Sequence, residues 1–450
     1  MSHTNFRQVS LDIKNRADDI LFHGIWLKWH ILTLSEKVVC LGILLIPLWW
    51  VIGWGIMLLP WVGGICIYEL KQYKRIRLSK PSLEVIGIIL FAFQQCISYA
   101  LNSPEIAPRL LIDPFVTWGC GGIILWYIQS HKIFVRYHVV AWAFSVLICF
   151  MLFWWLFFHF ILREPYFVPP RTLYAVLTDK GTFNASKLGS VGNFLVPYYF
   201  GEPGFGGLYR YTFFFAHPTV SSFAIGFAGL VILDVKKRYW SWTLCIICSV
   251  LIVICQARNA WLSLAAVLFI RWLLTSAKDK GIAFILLLFA ITSFVTLSVP
   301  SVTSLLMENY NQSVEATSNF RKDSTDVRYK IYLRTWEDFI KEPLLGHGVP
   351  GSPVLPGYEF ALTGTESFLL GCLFYRSGLL GTGIFMTFFI PFLTWLYQTR
   401  KQRPLSAFLM LLYFIISSLV TDFMGPEIFI VLLCVMLYKS PKYNYYSQNI

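Results

Sequence analysis

Long apolar runs separated by short polar breaks fill the chain from residue 38 to residue 438. Most runs hold roughly 17 to 25 residues, enough for a helix to cross about 30 Å of hydrocarbon. The run 38–69 carries Pro47, Gly53, Gly55 and Pro60 in its middle and reads as a hairpin of two short helices. Further spans are expected at 83–101, 116–129, 139–162, 213–233, 240–256, 260–275, 281–300, 379–397, 405–421 and 427–438. The pattern predicts an all-α, polytopic integral membrane protein of about twelve transmembrane helices. It divides into a polar N-terminal segment 1–37, a membrane domain 38–438 and a tail 439–450. Two stretches, 163–212 and 301–378, are long enough to carry function.

Lys and Arg cluster at 71–80, 132–136, 236–238, 278–280, 400–403 and 439–442. Basic residues in short loops stay on the cytoplasmic side, so both termini are expected inside and both long loops outside. No signal peptide is visible in residues 1–37, and "DDILFHGIWLKWHILTL" reads as an amphipathic helix on the inner surface. Composition agrees with a bilayer: 56% of residues are hydrophobic, 14% are charged, and the mean hydropathy is +0.61. Positive-inside loops account for the net charge of +13, which therefore does not imply nucleic acid. The ten cysteines lie in or beside apolar runs, and the CxxC of Cys245 and Cys248 reads as packing.

A few charges break the rule. Arg258 interrupts "VLIVICQARNAWLSLAAVLF", where a mid-bilayer arginine would cost about 2.5 to 3.5 kcal/mol. The topology moves it to a tight turn on the outer face. Arg210 in "GGLYRYTFFFAHPT" lies on the same side, and the second long loop adds Arg321, Arg328 and Arg334. Guanidinium groups gathered there suit a lipid-anchored diphosphate, because the planar fork grips phosphate oxygens and stays charged. In "TDVRYKIYLRTWEDFIKE", 325–342, an apolar stripe of Tyr329, Tyr332, Leu333, Trp336, Phe339 and Ile340 predicts a helix laid on the membrane body. Thr325 is its expected cap and Pro343 its end. Arg328 and Arg334 sit about 120° apart on that helix and need not share a ligand. Glu366 stands at the outer end of a short apolar helix, as the leading candidate for a general base with a partly desolvated carboxylate. His217 is the second candidate, His347 reads as a turn residue, and Asp422 and Glu427 flank another outer turn. Tyr198, Tyr199, Tyr209 and Tyr211 offer faces for sugar rings. Asp323 and Asp326 do not form a DxD metal motif, so no metal is expected.

The order "QARNAWLSL", "RYKIYLRTWEDFIKEPLLGHG", "SFLLGCLFYRSGLLG" resembles the bacterial O-antigen ligase and O-antigen polymerase superfamily, most strongly over 210–385. The resemblance implies a metal-independent membrane glycosyltransferase of surface polysaccharide assembly. Its donor is a glycan on undecaprenyl diphosphate, its acceptor another glycan or a lipid core, and no cofactor takes part. It puts Arg210, Arg258, Arg328 and, less directly, Arg334 on the donor diphosphate, with the site on the outer face of the inner membrane. A chain-length regulator protein is a further partner implied. Where the family carries a histidine before its "FL" helix, this chain has Glu366–Ser367. That departure leaves three readings: a glutamate base, a polymerase rather than a ligase, or an inactive homologue. Repeat-unit polymerisation is the leading expectation and ligation onto lipid A-core the next. A glycan transporter is the alternative class, but it calls for charge pairs at the bilayer midplane, and none appear in the apolar runs.

Overall fold

A computed structural model describes residues 21–102, 112–162, 168–177, 193–199, 208–235, 238–276, 322–355, 361–423 and 425–439, with a few positions between 287 and 304. The described chain is mostly helical. Helix α1 (Leu34–Leu44) opens on a capping box: Thr33 Oγ1 accepts the Glu36 N–H and Glu36 Oε2 accepts the Thr33 N–H. Pro47 near its start turns α2 (Ile46–Ile52) through 60° from α1. Then come α3 (Leu58–Tyr73), α4 (Leu83–Asn102), α5 (Cys120–Ser130) and α6 (Tyr137–Leu156). A π-helical turn leads into α5 and another extends α6 to Leu162. The second half holds α7 (Pro218–Ile232), α8 (Arg238–Cys255), α9 (Arg258–Ser276) and the loop helix α10 (Lys322–Lys341). A nine-residue π-helix (Phe368–Arg376) then precedes α11 (Gly378–Gln398), α12 (Leu405–Ser418) and α13 (Gly425–Met436).

Helix α7 is the hub. Every one of its residues except Thr219 is buried, which a helix apolar on all sides requires. It packs against α6, α8, α9, α12 and α13, while α4 lies along α11. Among the described residues three helices are long and apolar enough to cross a membrane, Leu83–Asn102, Tyr137–Leu162 and Gly378–Gln398, or four with the bent α1–α2 pair as one span. The expected count of about twelve spans is therefore not confirmed. Helices stand where most of the runs predicted them, but α7, α12 and α13 are shorter than a span, because hydropathy registers side chains and not where the backbone breaks. The expected span 281–300 lies almost wholly outside the described residues.

One correction falls at the N-terminal side. The described part of "DDILFHGIWLKWHILTL" is not an amphipathic helix. Phe22–His23 pairs antiparallel with Trp26–Leu27 around Gly24, whose φ of 62° makes the reversal, and a 3-10 turn follows at Trp29–Ile31. The apolar spacing suited a helix, but a glycine in the left-handed region breaks it.

Among the described residues, the basic clusters at 71–80, 132–136 and 400–403 meet at one end of the bundle. Glu69 binds Arg77 (3.2 Å) and accepts from Tyr127, and Glu36 holds Arg136 at 2.5 and 2.6 Å. Val135–Arg136 pairs with Leu437–Tyr438, and Arg403 donates to the carbonyls of Cys434, Val435 and Leu437. Asp234 accepts from Arg271 (2.8 Å) and from the Ser406 N–H (2.9 Å). Glu36 is 2% exposed. Arg136→Ala is therefore expected to strand its carboxylate and to destabilise the protein by about 3 to 5 kcal/mol. A thermal melt in detergent measures this, and the matched double variant Glu36→Gln/Arg136→Met should recover much of the loss.

Candidate functional site

At the opposite end four segments converge. The first is a short hairpin. Tyr198 and Tyr211 form an antiparallel bridge, Tyr199 N–H donates to Arg210 O (2.8 Å), and Thr212 N–H donates to Pro197 O (3.0 Å). This pairing holds Arg210, 8% exposed, with its guanidinium 5.4 Å from the Tyr199 ring centre. Phe213, at φ 49°, then swings the chain into His217, the cap of α7, whose ring meets Tyr199 edge-on at 5.3 Å.

The second segment is the turn between α8 and α9. Gln256, at φ 53°, donates its amide to Leu208 O (3.2 Å), and Tyr211 N–H reaches Ile254 O (3.4 Å), so hairpin and turn move as one. Arg258, half-buried, begins α9. Next to it Asn259 donates to Thr421 Oγ1 (2.7 Å), and Thr421 O accepts the Phe368 N–H (3.0 Å), joining α9 to the third and fourth segments.

The third segment is the turn 364–367. Glu366 adopts φ 65°, and Ser367 caps the π-helix by accepting the Leu370 N–H (3.1 Å). This turn folds back so closely on the π-helix that a Cβ on Gly371 would lie 2.6 Å from the Gly364 carbonyl oxygen. Helix α10 supports it: Thr335 Oγ1 accepts the Gly364 N–H (2.9 Å), Tyr332 OH donates to Glu366 O (3.3 Å), and Arg328 Nη2 pairs with Glu366 Oε2 at 2.9 Å. From the fourth segment, between α12 and α13, Asp422 forms an ion pair with Arg376 at the end of the π-helix. Three non-glycine residues with positive φ, Phe213, Gln256 and Glu366, thus sit within these segments; the other two described ones, Lys74 and Lys132, lie at the basic end. Such conformations cost about 1 to 3 kcal/mol each and persist where the surroundings over-determine them.

The charges act on one another. Burial first, then Arg210 and Arg328, hold His217 far below its ordinary pKa, so the ring is neutral at physiological pH. Its Nδ1 accepts the Thr219 N–H at 3.2 Å, which leaves the ring proton on Nε2. Burial also raises Asp422 above the usual carboxylate range; Arg376 opposes the shift and Glu366 adds to it.

Of the residues singled out from sequence, Arg210, His217, Arg328 and Glu366 come together, and Arg258 joins them through Asn259 and Thr421. Arg334 does not. It lies on another side of α10, half-exposed, and pairs with Asp338 (3.1 Å) and Glu337 (3.7 Å) of its own helix. Glu366 is a carboxylate 38% exposed and ion-paired with Arg328. His217 cannot take a proton at Nδ1 while that nitrogen caps α7. The tyrosines are not open platforms: Tyr198 stacks on Tyr209 (4.8 Å) and Tyr211 (5.7 Å), and Tyr198, Tyr199 and Tyr211 are buried. His347 is a turn residue, between Gly346 and Gly348, both with positive φ. Glu427 sits in the first turn of α13 and lines a small cavity under the site with Thr219, Asn259 and Thr421. Arg321 and 163–167 lie outside the described residues. Sequence reasoning passed over Arg376, although an arginine inside "FLLGCLFYRSG" with an aspartate at the next outer turn was a usable signal. Among the described residues, no three His, Cys, Asp or Glu side chains gather as a metal would require.

The close fit at Gly371 predicts that Gly371→Val displaces the 364–367 turn while α4 and α11 stay packed. Hydrogen exchange should then speed up at the Gly364 and Phe368 amides and remain slow along α4; unchanged protection at both amides would contradict the contact.

Residues 243–369 match the family described as O-Antigen ligase. The match runs from α8 to the second residue of the π-helix, so it includes Arg258, Arg328, Arg334 and Glu366 but not Arg210, His217, Arg376 or Asp422. No curated protein matches the chain.

Proposed function

We propose that the chain, whose residues 243–369 match the O-antigen ligase family, transfers glycan from a lipid-linked diphosphate donor at the cluster just described. The observation that carries this reading is the gathering of the buried Arg210 against Tyr199, of His217 against the same ring, and of the Arg328–Glu366 pair, at the bundle end away from the basic loops. By the positive-inside rule that end faces outward from the inner membrane and both termini are cytoplasmic. The apolar helices, short ones included, form the multi-pass membrane domain.

In this mechanism Arg210, Arg258 and Arg328 meet the diphosphate of an undecaprenyl-linked donor, and His217 donates through Nε2–H. The acceptor hydroxyl attacks the anomeric carbon as the bond to the diphosphate oxygen breaks. The electron pair leaves with the lipid diphosphate, whose charge the fixed guanidinium groups stabilise without a metal. Glu366 takes the hydroxyl proton. Because Glu366 is paired with Arg328 before substrate arrives, an incoming diphosphate competes for that guanidinium and releases the carboxylate for the acceptor. One binding event thereby arms the base. Displacement in one step inverts the anomeric centre.

Glu366–Ser367 in place of a histidine pair favours polymerisation of repeat units, while the description of the matched family favours a ligase acting on a lipid-core acceptor. The deciding experiment supplies purified protein in lipid with undecaprenyl-diphosphate-linked repeat units and no added metal, and reads product length on a gel. Polymerisation gives a ladder. Transfer only on addition of a lipid core gives the ligase, and no transfer under either condition overturns the proposal in favour of transport or an inactive homologue. Arg210→Ala and Arg258→Ala should each lower turnover by about 10²- to 10³-fold, and Glu366→Gln should abolish it with donor binding retained.

A further inference from the structure

Helix α10 has three faces, and only two are accounted for. Ile331, Thr335 and Phe339 are buried against the body, with the Phe339 ring 5.4 Å from Phe374 of the π-helix. Lys330, Arg334, Glu337 and Lys341 form an exposed polar face. Between them run Tyr329, Leu333, Trp336 and Ile340, from 46% to 65% exposed, within an arc of about 60°. The stripe predicted from sequence merged two apolar faces: one packs inward and the other points out. In water that second face would waste a tyrosine, a tryptophan and two aliphatic side chains.

The stripe does not end with the helix. Leu344 and Leu345 follow it, both exposed, and the chain there is fastened to α11: Leu379 N–H donates to Pro343 O (2.8 Å) and Leu380 N–H to Leu344 O (3.1 Å). Leu379 and Leu380 are themselves exposed, on one of the three helices long enough to cross a membrane. The apolar surface of α10 thus runs on to the exposed apolar side chains of a helix long and apolar enough to cross a membrane.

We propose that α10 lies in the membrane interface at the site end of the bundle, with Tyr329, Leu333, Trp336 and Ile340 seated at the boundary between headgroups and acyl chains. The occupant of this face is the bilayer itself. An aromatic and aliphatic stripe bordered by lysines, an arginine and a glutamate is what that boundary holds. The inference rests on the membrane reading of the fold and not on the transfer chemistry. Its consequence reaches the site, because Arg328 stands on the body-facing side of the same helix, beside Thr335 and Phe339, and pairs with Glu366. The leaflet surface then sets the height at which the Arg328–Glu366 pair stands.

The test uses the full chain in vesicles of phosphatidylethanolamine and phosphatidylglycerol, with Cys149→Ser as the parent to lower background labelling. A nitroxide is attached after Leu333→Cys or Ile340→Cys, and after Lys330→Cys or Glu337→Cys as polar-face references. All four positions are exposed, and a thermal melt in detergent confirms the fold of each variant. Collision with oxygen, which partitions into lipid, is compared with collision with a water-soluble nickel chelate. Labels at 333 and 340 are expected to favour oxygen several-fold over the labels at 330 and 337. Equal nickel accessibility at all four overturns the proposal by placing the stripe in water. Immobile labels at 333 and 340 shielded from both reagents overturn it in favour of a protein partner or a second copy. Neither result depends on whether the protein transfers glycan.

Discussion

Hydrocarbon offers no hydrogen bonds, so a charge near it must find a partner within the protein or move to a helix end. That constraint orders this molecule. At one end of the bundle Glu36, Glu69 and Asp234 are each held by an arginine, and Arg403 is held by the last carbonyls of α13. The hub helix α7 between the two ends is buried and nearly without charge. Arg210, Arg328, Glu366, Arg376 and Asp422 collect at the far end, where four segments distant in sequence approach one another.

Side chains that bond to neighbouring main chain do much to keep those segments in place. Thr421 receives from Asn259 with its hydroxyl and from Phe368 with its carbonyl; Tyr332 and Thr335 of α10 grip the turn around Glu366 through its main chain. The scaffold therefore fixes the path of the chain and leaves the ionisable heads of Arg328 and Glu366 to answer each other. Strain gathers at the same place, in Phe213, Gln256 and Glu366, as it does where geometry is set by use rather than by comfort.

Sequence made the helices legible, because a buried stripe repeats every turn and proline and glycine mark the breaks; α10 was expected at 325–342 and stands at Lys322–Lys341. It also singled out Arg210, Arg258, Arg328, His217 and Glu366, since a charge amid apolar residues is conspicuous. It failed where information is long-range. Which apolar side of α10 faces inward depends on Phe374 and Gly364, far along the chain. The pairing of Arg376 with Asp422 spans 46 residues, whereas that of Arg334 with Asp338, one helical turn apart, was open to reading and was passed over. The proton on His217 is decided by one backbone amide two residues on. Residues 21–31 misled for a simpler reason, a glycine whose turn the periodicity could not see.

The left-handed backbone at Glu366 has an evolutionary corollary. Glycine or asparagine would rest there with less strain, since for most L-residues this region costs about 1 to 2 kcal/mol. With Glu366 as the proposed base, selection for a sturdier protein and selection for turnover pull the same codon in opposite directions. A library screened only for folded yield would drift away from glutamate at this position and discard the carboxylate without any sign of damage in the melt.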